Sequence, residues 1–509
     1  MKDKQIKYGM ILSYIYVVLN VISGLCFTPY LIKTLGKSQY GLYEIIVSLA
    51  SNMSILNFGM SDCIVKFVST YRNQNNKNKQ GEVIGNVLKI LLISSTIATF
   101  ICICVYLKFD TIYAKSLTKE ECIIGKQLLI LSSIDIITSL PGSIFSSTLI
   151  AYEKFAITRG LNIIKIISRI FLILVFLNFS ASAMTILIID TILNLVIIIV
   201  CYIFMKNWLN LPIIMKNTDK DLCKRILSFS GYTVFFIIAK EIQWQTDKTI
   251  IGIRLNTIMV TIYAAGSKVS AIFNQLGYTL SGMFLPKAIQ LNESCASKED
   301  YKNYMVFIAR LILPLLLGVM IAYAFMGKTF MVLWMGTGYE ESFYSSFIMM
   351  FAVLIPMLED TGLAILKARD KQKEIAITWF ISSITNIFLT WITVKEYGIV
   401  AASVTTFATS YLINVLTLNI ILKKEVGLEI FSLFKEMFKG TIPLILIGII
   451  FFLLIDKAGF KIDSWFTFII TGILFAIVYI LSIYIFFLSN YQKKILSKNI
   501  KQITQKRMK

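Results

Sequence analysis

Apolar runs of helix length, separated by short polar stretches, recur along the whole chain. They fall at 9–33, 41–68, 84–107, 122–149, 156–177, 183–205 and 227–253, and again at 257–284, 304–327, 341–366, 374–393, 398–422, 439–456 and 464–489. A helix rising 1.5 Å per residue needs about 20 residues to cross the ~30 Å hydrocarbon core of a bilayer. The pattern therefore predicts an all-α membrane protein with about 14 transmembrane helices.

Composition sets the same ceiling. The chain has 509 residues, 57% of them hydrophobic and 16% charged, and its mean hydropathy is +0.74. Soluble domains carry about 25% charged residues. The roughly 290 apolar residues supply at most about 14 crossings of about 20 residues each. With charge so sparse, the net +21 belongs to loops, tails and a few embedded sites, and nucleic-acid binding is not expected.

The basic residues alternate between the two sides of the predicted helices. One side receives Lys2, Lys4 and Lys7, then Arg72, Lys77 and Lys79, then Lys154 and Arg159, then the lysines and arginine of 206–225. It continues through Lys287, Lys298 and Lys302, then 367–373, then Lys423, Lys424 and Lys435, and ends in the basic tail 490–509. Opposite loops such as 178–183 carry no charge, and the lysines of 108–121 are offset by acids. The positive-inside rule then places both termini in the cytoplasm. Ala151-Tyr152-Glu153-Lys154 resembles Ala368-Arg369-Asp370-Lys371 at an offset that equals six spans and their loops. This predicts an N-lobe over 1–220, a C-lobe over 221–436, a terminal helix pair over 437–489 and the tail.

The chain contains no His, which removes the usual proton shuttle and the commonest transition-metal ligand. It has no GxxxxGK[ST] phosphate loop and no region for an ATPase. No cofactor, metal site or enzymatic constellation is expected. Cys26, Cys63, Cys102, Cys104 and Cys201 lie in apolar runs without paired loop spacing and are read as small buried hydrophobes.

Embedded charge is costly, at least ~2.5 kcal/mol per ionised group on insertion scales, so clusters of it mark cavities or partners. In the seventh span Lys240, Glu241, Gln243, Trp244, Gln245, Asp247 and Lys248 fall on one arc of roughly 200°, opposite Phe235, Ile238, Ala239 and Ile242. In the eighth, Lys268 and Gln275 share a stripe with Ala264 and Ala271, and in the fifth Arg159, Asn162, Lys165 and Arg169 share a face. Lys240, Gln243, Asp247, Lys248, Lys268, Gln275, Arg169 and Lys165 are the candidates for a substrate cavity. The competing reading pairs Glu241 with Lys248 and Lys240 with Asp247 as glue between helices. Glu241, Asp62, Asp135, Asp190, Glu359 and Asp360 are candidates for coupling to H+ or Na+, although Asp62 and Lys66 also have the spacing of an intrahelical pair. Arg310 is a further embedded charge without a local partner.

Pro29-Tyr30 followed by Leu35-Gly36-Lys37-Ser38-Gln39-Tyr40-Gly41-Leu42-Tyr43 resembles the opening of the Wzx-like polysaccharide flippases, in the multidrug/oligosaccharidyl-lipid/polysaccharide exporter superfamily. Asn57-Phe58-Gly59, Asp247-Lys248, Ile262-Tyr263 and Glu396-Tyr397-Gly398 are similar to that family's pattern. The resemblance implies a V-shaped bundle in the cytoplasmic membrane whose two lobes open alternately, moving an undecaprenyl-pyrophosphate-linked oligosaccharide outward. A polysaccharide polymerase is left open as a partner. A peptidoglycan lipid-precursor flippase and a drug/ion antiporter share the plan. A membrane glycosyltransferase or polymerase is disfavoured by the short outer loops.

Reporter fusions at Lys509 and within 206–225 are expected to report the same, cytoplasmic, side of the membrane; opposite sides would break the 14-helix arrangement.

Overall fold

A computed structural model of the protein describes residues 2–215, 220–281, 297–369 and 371–487; Lys216, Lys287, Asp370 and the tail 490–509 lie outside them. Every regular element among the described residues is helical. In order these are α1 (Lys2–Met53), α2 (Met60–Asn73), α3 (Lys77–Ile112), α4 (Lys119–Ala151), α5 (Phe155–Phe176), α6 (Ala183–Ile203), α7 (Lys220–Arg254) and α8 (Thr257–Ser281). There follow α9 (Lys298–Met335), α10 (Glu340–Leu358), α11 (Asp360–Ala368), α12 (Gln372–Thr409), α13 (Leu416–Val426), α14 (Ile430–Met437), α15 (Thr441–Lys457) and α16 (Trp465–Ser482).

Among the described residues, eight helical stretches are long and apolar enough to cross a membrane, or nine when α14 and α15, bent by 43° at their break, count as one. Helices α5, α7 and α8 are also of spanning length, at 22, 35 and 25 residues, but carry the embedded charges. The outer faces of the helices fit lipid: Phe100, Leu107, Phe171, Leu412 and Ile442 are all exposed, which water would penalise and hydrocarbon does not. Cys26 and Cys104 are exposed on such faces, contrary to the expectation of burial, whereas Cys63, Cys102 and Cys201 are buried.

Helix α1 has 52 residues and would reach about 78 Å if straight, more than twice the ~30 Å hydrocarbon thickness. It breaks at Gly36, with φ 79° and ψ 161°. The same happens in α12 at Gly398, with φ 66° and ψ −160°. The first break falls between the spans expected over 9–33 and 41–68 and the second at the first residue of the span expected over 398–422, both at left-handed φ values open to glycine and strained for a side chain. The glycines of the two family motifs are therefore the points where long apolar helices divide.

The described residues form two compact units. The first comprises the chain up to Lys268 together with Gln372–Thr405. Its apolar core joins Met60, Ile64 and Val68 of α2 to Ile84, Val87 and Leu91 of α3 and Ile144 and Leu149 of α4. Glu121 closes a capping box with Thr118 at the start of α4, and its carboxylate also accepts Ser38 Oγ at 2.5 Å and Thr257 Oγ1 at 2.8 Å. One carboxylate thus ties together the ends of α4, α8 and the second half of α1. Gly41 fits the same junction because a Cβ there would lie 1.9 Å from the Thr257 carbonyl oxygen.

The second unit comprises Val269–Lys371 and the chain from Thr406 onward. Ile321 and Met326 of α9 pack with Leu444 and Phe452 of α15 and Phe475 and Tyr479 of α16. Tyr479 donates to Pro314 O at 3.0 Å. Arg310, without a partner near it in sequence, donates to the carbonyls of Glu436 at 3.2 Å, Lys439 at 2.9 Å and Phe487 at 2.7 Å. Its guanidinium lies over the Phe487 ring, 4.5 Å from the centroid. Helix ends leave carbonyls without intrahelical donors, and one fork of five donors serves several of them.

The described residues of the repeated segment make the same backbone bonds in each unit. Lys154 N donates to Leu149 O at 3.0 Å, and Lys371 N to Leu366 O at 3.0 Å. Tyr152 N bonds Thr148 O and Leu149 O, as Arg369 N bonds Ile365 O and Leu366 O. Each turn ends one helix, at Ala151 or Ala368, and starts the next, at Phe155 or Gln372.

The three Arg310 bonds form a latch across the second unit, and removing it has a measurable cost. Arg310→Ala deletes three charge-assisted bonds of a kind contributing ~1.5–3 kcal/mol each before relaxation. The purified variant is expected to melt several degrees lower and to expose the α15–α16 region to protease, with Arg310→Lys intermediate; an unchanged melting temperature would remove the latch role.

Candidate functional site

The charged face of α5 meets α4 and α6 inside the first unit. Arg169 donates to Asp190 of α6 through Nε at 2.5 Å and Nη2 at 3.0 Å, a two-point pairing suited to the planar guanidinium. Its Nη2 also reaches the Tyr43 hydroxyl of α1 at 3.3 Å. One turn earlier Lys165 donates to Asn194 Oδ1, and Asn194 Nδ2 donates to Asp135 Oδ1 of α4 at 2.6 Å. An amide thus relays between a cation and an acid, using both ends of its donor–acceptor pair.

These groups line a cavity of about 550 Å³ together with Ser51, Asn57, Ser132, Ser139, Ser143 and Thr191. A second cavity of about 280 Å³ shares Ser139, Ser143 and Asn194 with it and runs on past Ser146, Asn162 and Arg159. Arg159 lies over Tyr16, 5.8 Å from the ring centroid. Asp135, Ser139, Ser143 and Ser146 follow a helical repeat on α4, so one stripe of that helix supplies the polar wall. The stripe is written in the sequence, but hydroxyls are ordinary in apolar helices and only the acid drew attention.

A second cluster joins the first through neighbouring residues of α1. Glu44, whose side chain is 2% exposed, accepts Lys248 Nζ of α7 at 2.7 Å and lies 3.7 Å from Lys268 Nζ of α8. The Tyr40 hydroxyl donates to it at 2.8 Å. Sequence reasoning missed Glu44, which stands near the beginning of an apolar run and reads as an end residue. The proposed pairing of Lys248 with Glu241 is replaced by this longer-range one. Across both clusters Lys165, Arg169, Lys248 and Lys268 face Glu44, Asp135 and Asp190, so one cation is in surplus. Lys268, 41% exposed at its side chain, is the most open of the pairs around Glu44.

Other sequence candidates sit elsewhere. Asp247 is 1% exposed, accepting the Tyr263 hydroxyl at 2.9 Å and, at 3.4 Å, that of Thr390 in α12. Gln243 is likewise buried, so both pack between helices rather than face open space. Lys240 and Glu241 are partly buried and interact with each other. Asp62 and Lys66 are both exposed on α2, with Lys66 over the Phe67 ring. Gln275, Glu359 and Asp360 belong to the second unit.

Solved structures place this fold among membrane transporters. A lipid II flippase MurJ in an inward closed conformation aligns with a TM-score of 0.67 at 18% identity, covering 93% of this chain and 97% of its own. An inward-facing multidrug resistance MATE family transporter of the MOP superfamily aligns at 0.59 and 11% identity, covering 81% and 96%. The MATE multidrug transporter DinF-BH aligns at 0.52 and 12% identity, covering 84% and 95%. No curated protein is a match for the sequence. The family described as "Polysaccharide biosynthesis protein" matches residues 7–286, more than half of the chain. The protein is thus a multi-pass membrane protein of the polysaccharide biosynthesis family with the fold of the MOP-superfamily transporters.

Proposed function

We propose that the protein is a flippase that carries undecaprenyl-pyrophosphate-linked oligosaccharide repeat units outward across the cytoplasmic membrane by alternating access, without ATP, for surface polysaccharide export. The observation that carries this reading is the surplus cation of the Lys248–Glu44–Lys268 cluster, beside a cavity lined with hydroxyls, amides and paired charges. A diphosphate needs cations that are not fully consumed by protein acids, and sugars need donors and acceptors in pairs. A volume of about 550 Å³ lies within the ~300–1,000 Å³ of ordinary ligand pockets.

Glu44 gives the phosphate a competitor. A diphosphate oxygen drawing Lys268 away leaves Glu44 with Lys248 and Tyr40, so the acid stays compensated and the cost is small. Drawing Lys248 away as well would strip a buried carboxylate of its cations, a loss of ~3–5 kcal/mol for buried pairs. Substrate binding is thereby tied to the contact of α7 and α8 with α1. Arg169, held at two points by Asp190, orients the cavity wall and is not spare for phosphate. The membrane potential supplies ~2.3 kcal/mol per charge per 100 mV, enough to bias such a cycle without a nucleotide.

The likeness to a lipid II flippase favours one second reading, a peptidoglycan lipid precursor as cargo. It shares the lipid-linked diphosphate and differs in the sugar, so paired assays with the two lipids decide between them.

Lys268→Ala is expected to insert and accumulate as the native protein does, because Glu44 keeps Lys248 and the Tyr40 hydroxyl as partners. Export of lipid-linked glycan should fall about tenfold or more, in keeping with ~1.5–3 kcal/mol for a charged hydrogen bond. Export at the native rate would remove Lys268 from the site; loss from the membrane would make its role structural. In a background lacking native cysteines, Lys240→Cys, Lys248→Cys and Lys268→Cys are expected to include at least one site labelled by a membrane-impermeant thiol reagent. Complete protection of all three in folded protein would favour helix glue instead.

A further inference from the structure

Glu359 occupies a joint between broken helices in the second unit. Helix α10 ends at Leu358 and α11 starts at Asp360, shortly after Pro356. A proline inside a helix cannot donate to the carbonyl four residues back. That carbonyl, Ala352 O, is taken by the Ser410 hydroxyl at 2.9 Å, and the neighbouring Phe351 O by the Tyr411 hydroxyl at 2.8 Å. Both donors come from a π-helical turn, Ser410–Val415, between α12 and α13. A proline break on one side and a π turn on the other therefore fit together through side-chain hydroxyls.

The carboxyl of Glu359 lies within this joint at 0% exposure. Its Oε1 accepts Asn419 Nδ2 of α13 at 2.5 Å. Among the described residues its Oε2 has no hydrogen-bond partner, nor does Asn419 Oδ1. No ion pair reaches Glu359 among the described residues. The titratable groups around it are Asp360, next in the chain and close to Tyr278 of α8, and Tyr411 of the π turn. Met305 of α9 and Leu422 of α13 close over Gly362 one turn further on. A carboxylate sealed in without a cation costs several kcal/mol, and a neutral acid removes that cost. It also supplies one donor where the acid and amide together show acceptors without one.

We propose that Glu359 is a proton-binding site, protonated in this conformation and releasing its proton to water when the α10–α11 joint separates from the π turn. The proton leaves Oε2 as the oxygen gains its negative charge, and water accepts it. Hard metal ions take several oxygen ligands, whereas this acid is held by one amide, so the ligand is a proton. On the transporter reading above, on which the coupling role rests, a proton gradient then drives the joint.

Infrared spectra of the full-length protein in nanodiscs test the site itself. Native protein is expected to show the carbonyl stretch of a protonated carboxyl that shifts in D2O, Glu359→Gln to lack it, and Asn419→Ala to move its frequency by removing the bond to Oε1. In proteoliposomes Glu359→Gln, which mimics the neutral acid, should lose at least tenfold of the stimulation of glycan transport by an imposed pH gradient. Absence of the band in native protein, or a gradient response unchanged in Glu359→Gln, overturns the proposal. A melting temperature raised by Na+ over K+ and insensitive to Na+ after Glu359→Gln would assign a metal ion instead. Native proteoliposomes that move no lipid-linked glycan would overturn the flippase reading, while the infrared band would still decide Glu359. If Glu359→Gln does not fold, the native band and its shift in Asn419→Ala decide.

Discussion

The interaction on which the first unit depends is the burial of Glu44 between two lysines and a tyrosine. Inside a bilayer a carboxylate cannot be hydrated, so its charge must be answered by protein groups from other helices. Glu44 is answered from α7, α8 and its own helix, and those answers decide which helices stay together. Tyr43, one residue away, extends the constraint to Arg169 and thence to α6. These helices are therefore held by polar groups where lipid gives apolar faces little reason to prefer one neighbour over another. Tyr43 and Arg169 also line the cavity, so stability and recognition draw on overlapping sets of side chains.

Much of this was legible in order and little of it in pairing. Hydrophobic runs announced the helices and roughly where they part, because length against bilayer thickness is a one-dimensional constraint; that Gly36 and Gly398 are the breaks is a property of the structure. The clustering of Lys165 and Arg169 on one face was equally readable. Partners were not. Lys248 has Glu241 at i,i+7 on its own helix, yet pairs with an acid of α1, and Arg310 finds carbonyls near the far end of the chain. Asp247 read as cavity-facing because helical projection reports a polar arc but cannot tell water from a hydroxyl of α12 at 3.4 Å. Sequence periodicity gives direction around one helix, and pairing is a property of several.

Two kinds of helix defect carry contrasting work. Glycine breaks at Gly36 and Gly398 divide long helices and leave backbone in conformations that need no side-chain support. The proline break at Pro356 leaves a carbonyl that must be satisfied, and the π turn supplies the hydroxyl. The first kind fixes where a span ends. The second makes one helix's geometry conditional on another's, so movement of either exposes polar backbone that only the other covers.

The Arg310 latch also has a history in time. Phe487, whose carbonyl Arg310 reaches at 2.7 Å, follows it by 177 positions. At ~5–20 residues per second of synthesis, the guanidinium waits about 10–35 s before that acceptor exists. During this interval α9 is in place while its arginine has no acceptor from the last helix, and only completion of the final hydrophobic segment ends the exposure. A chain released before Phe487 would hold Arg310 through the Glu436 and Lys439 carbonyls alone, with the third acceptor permanently missing.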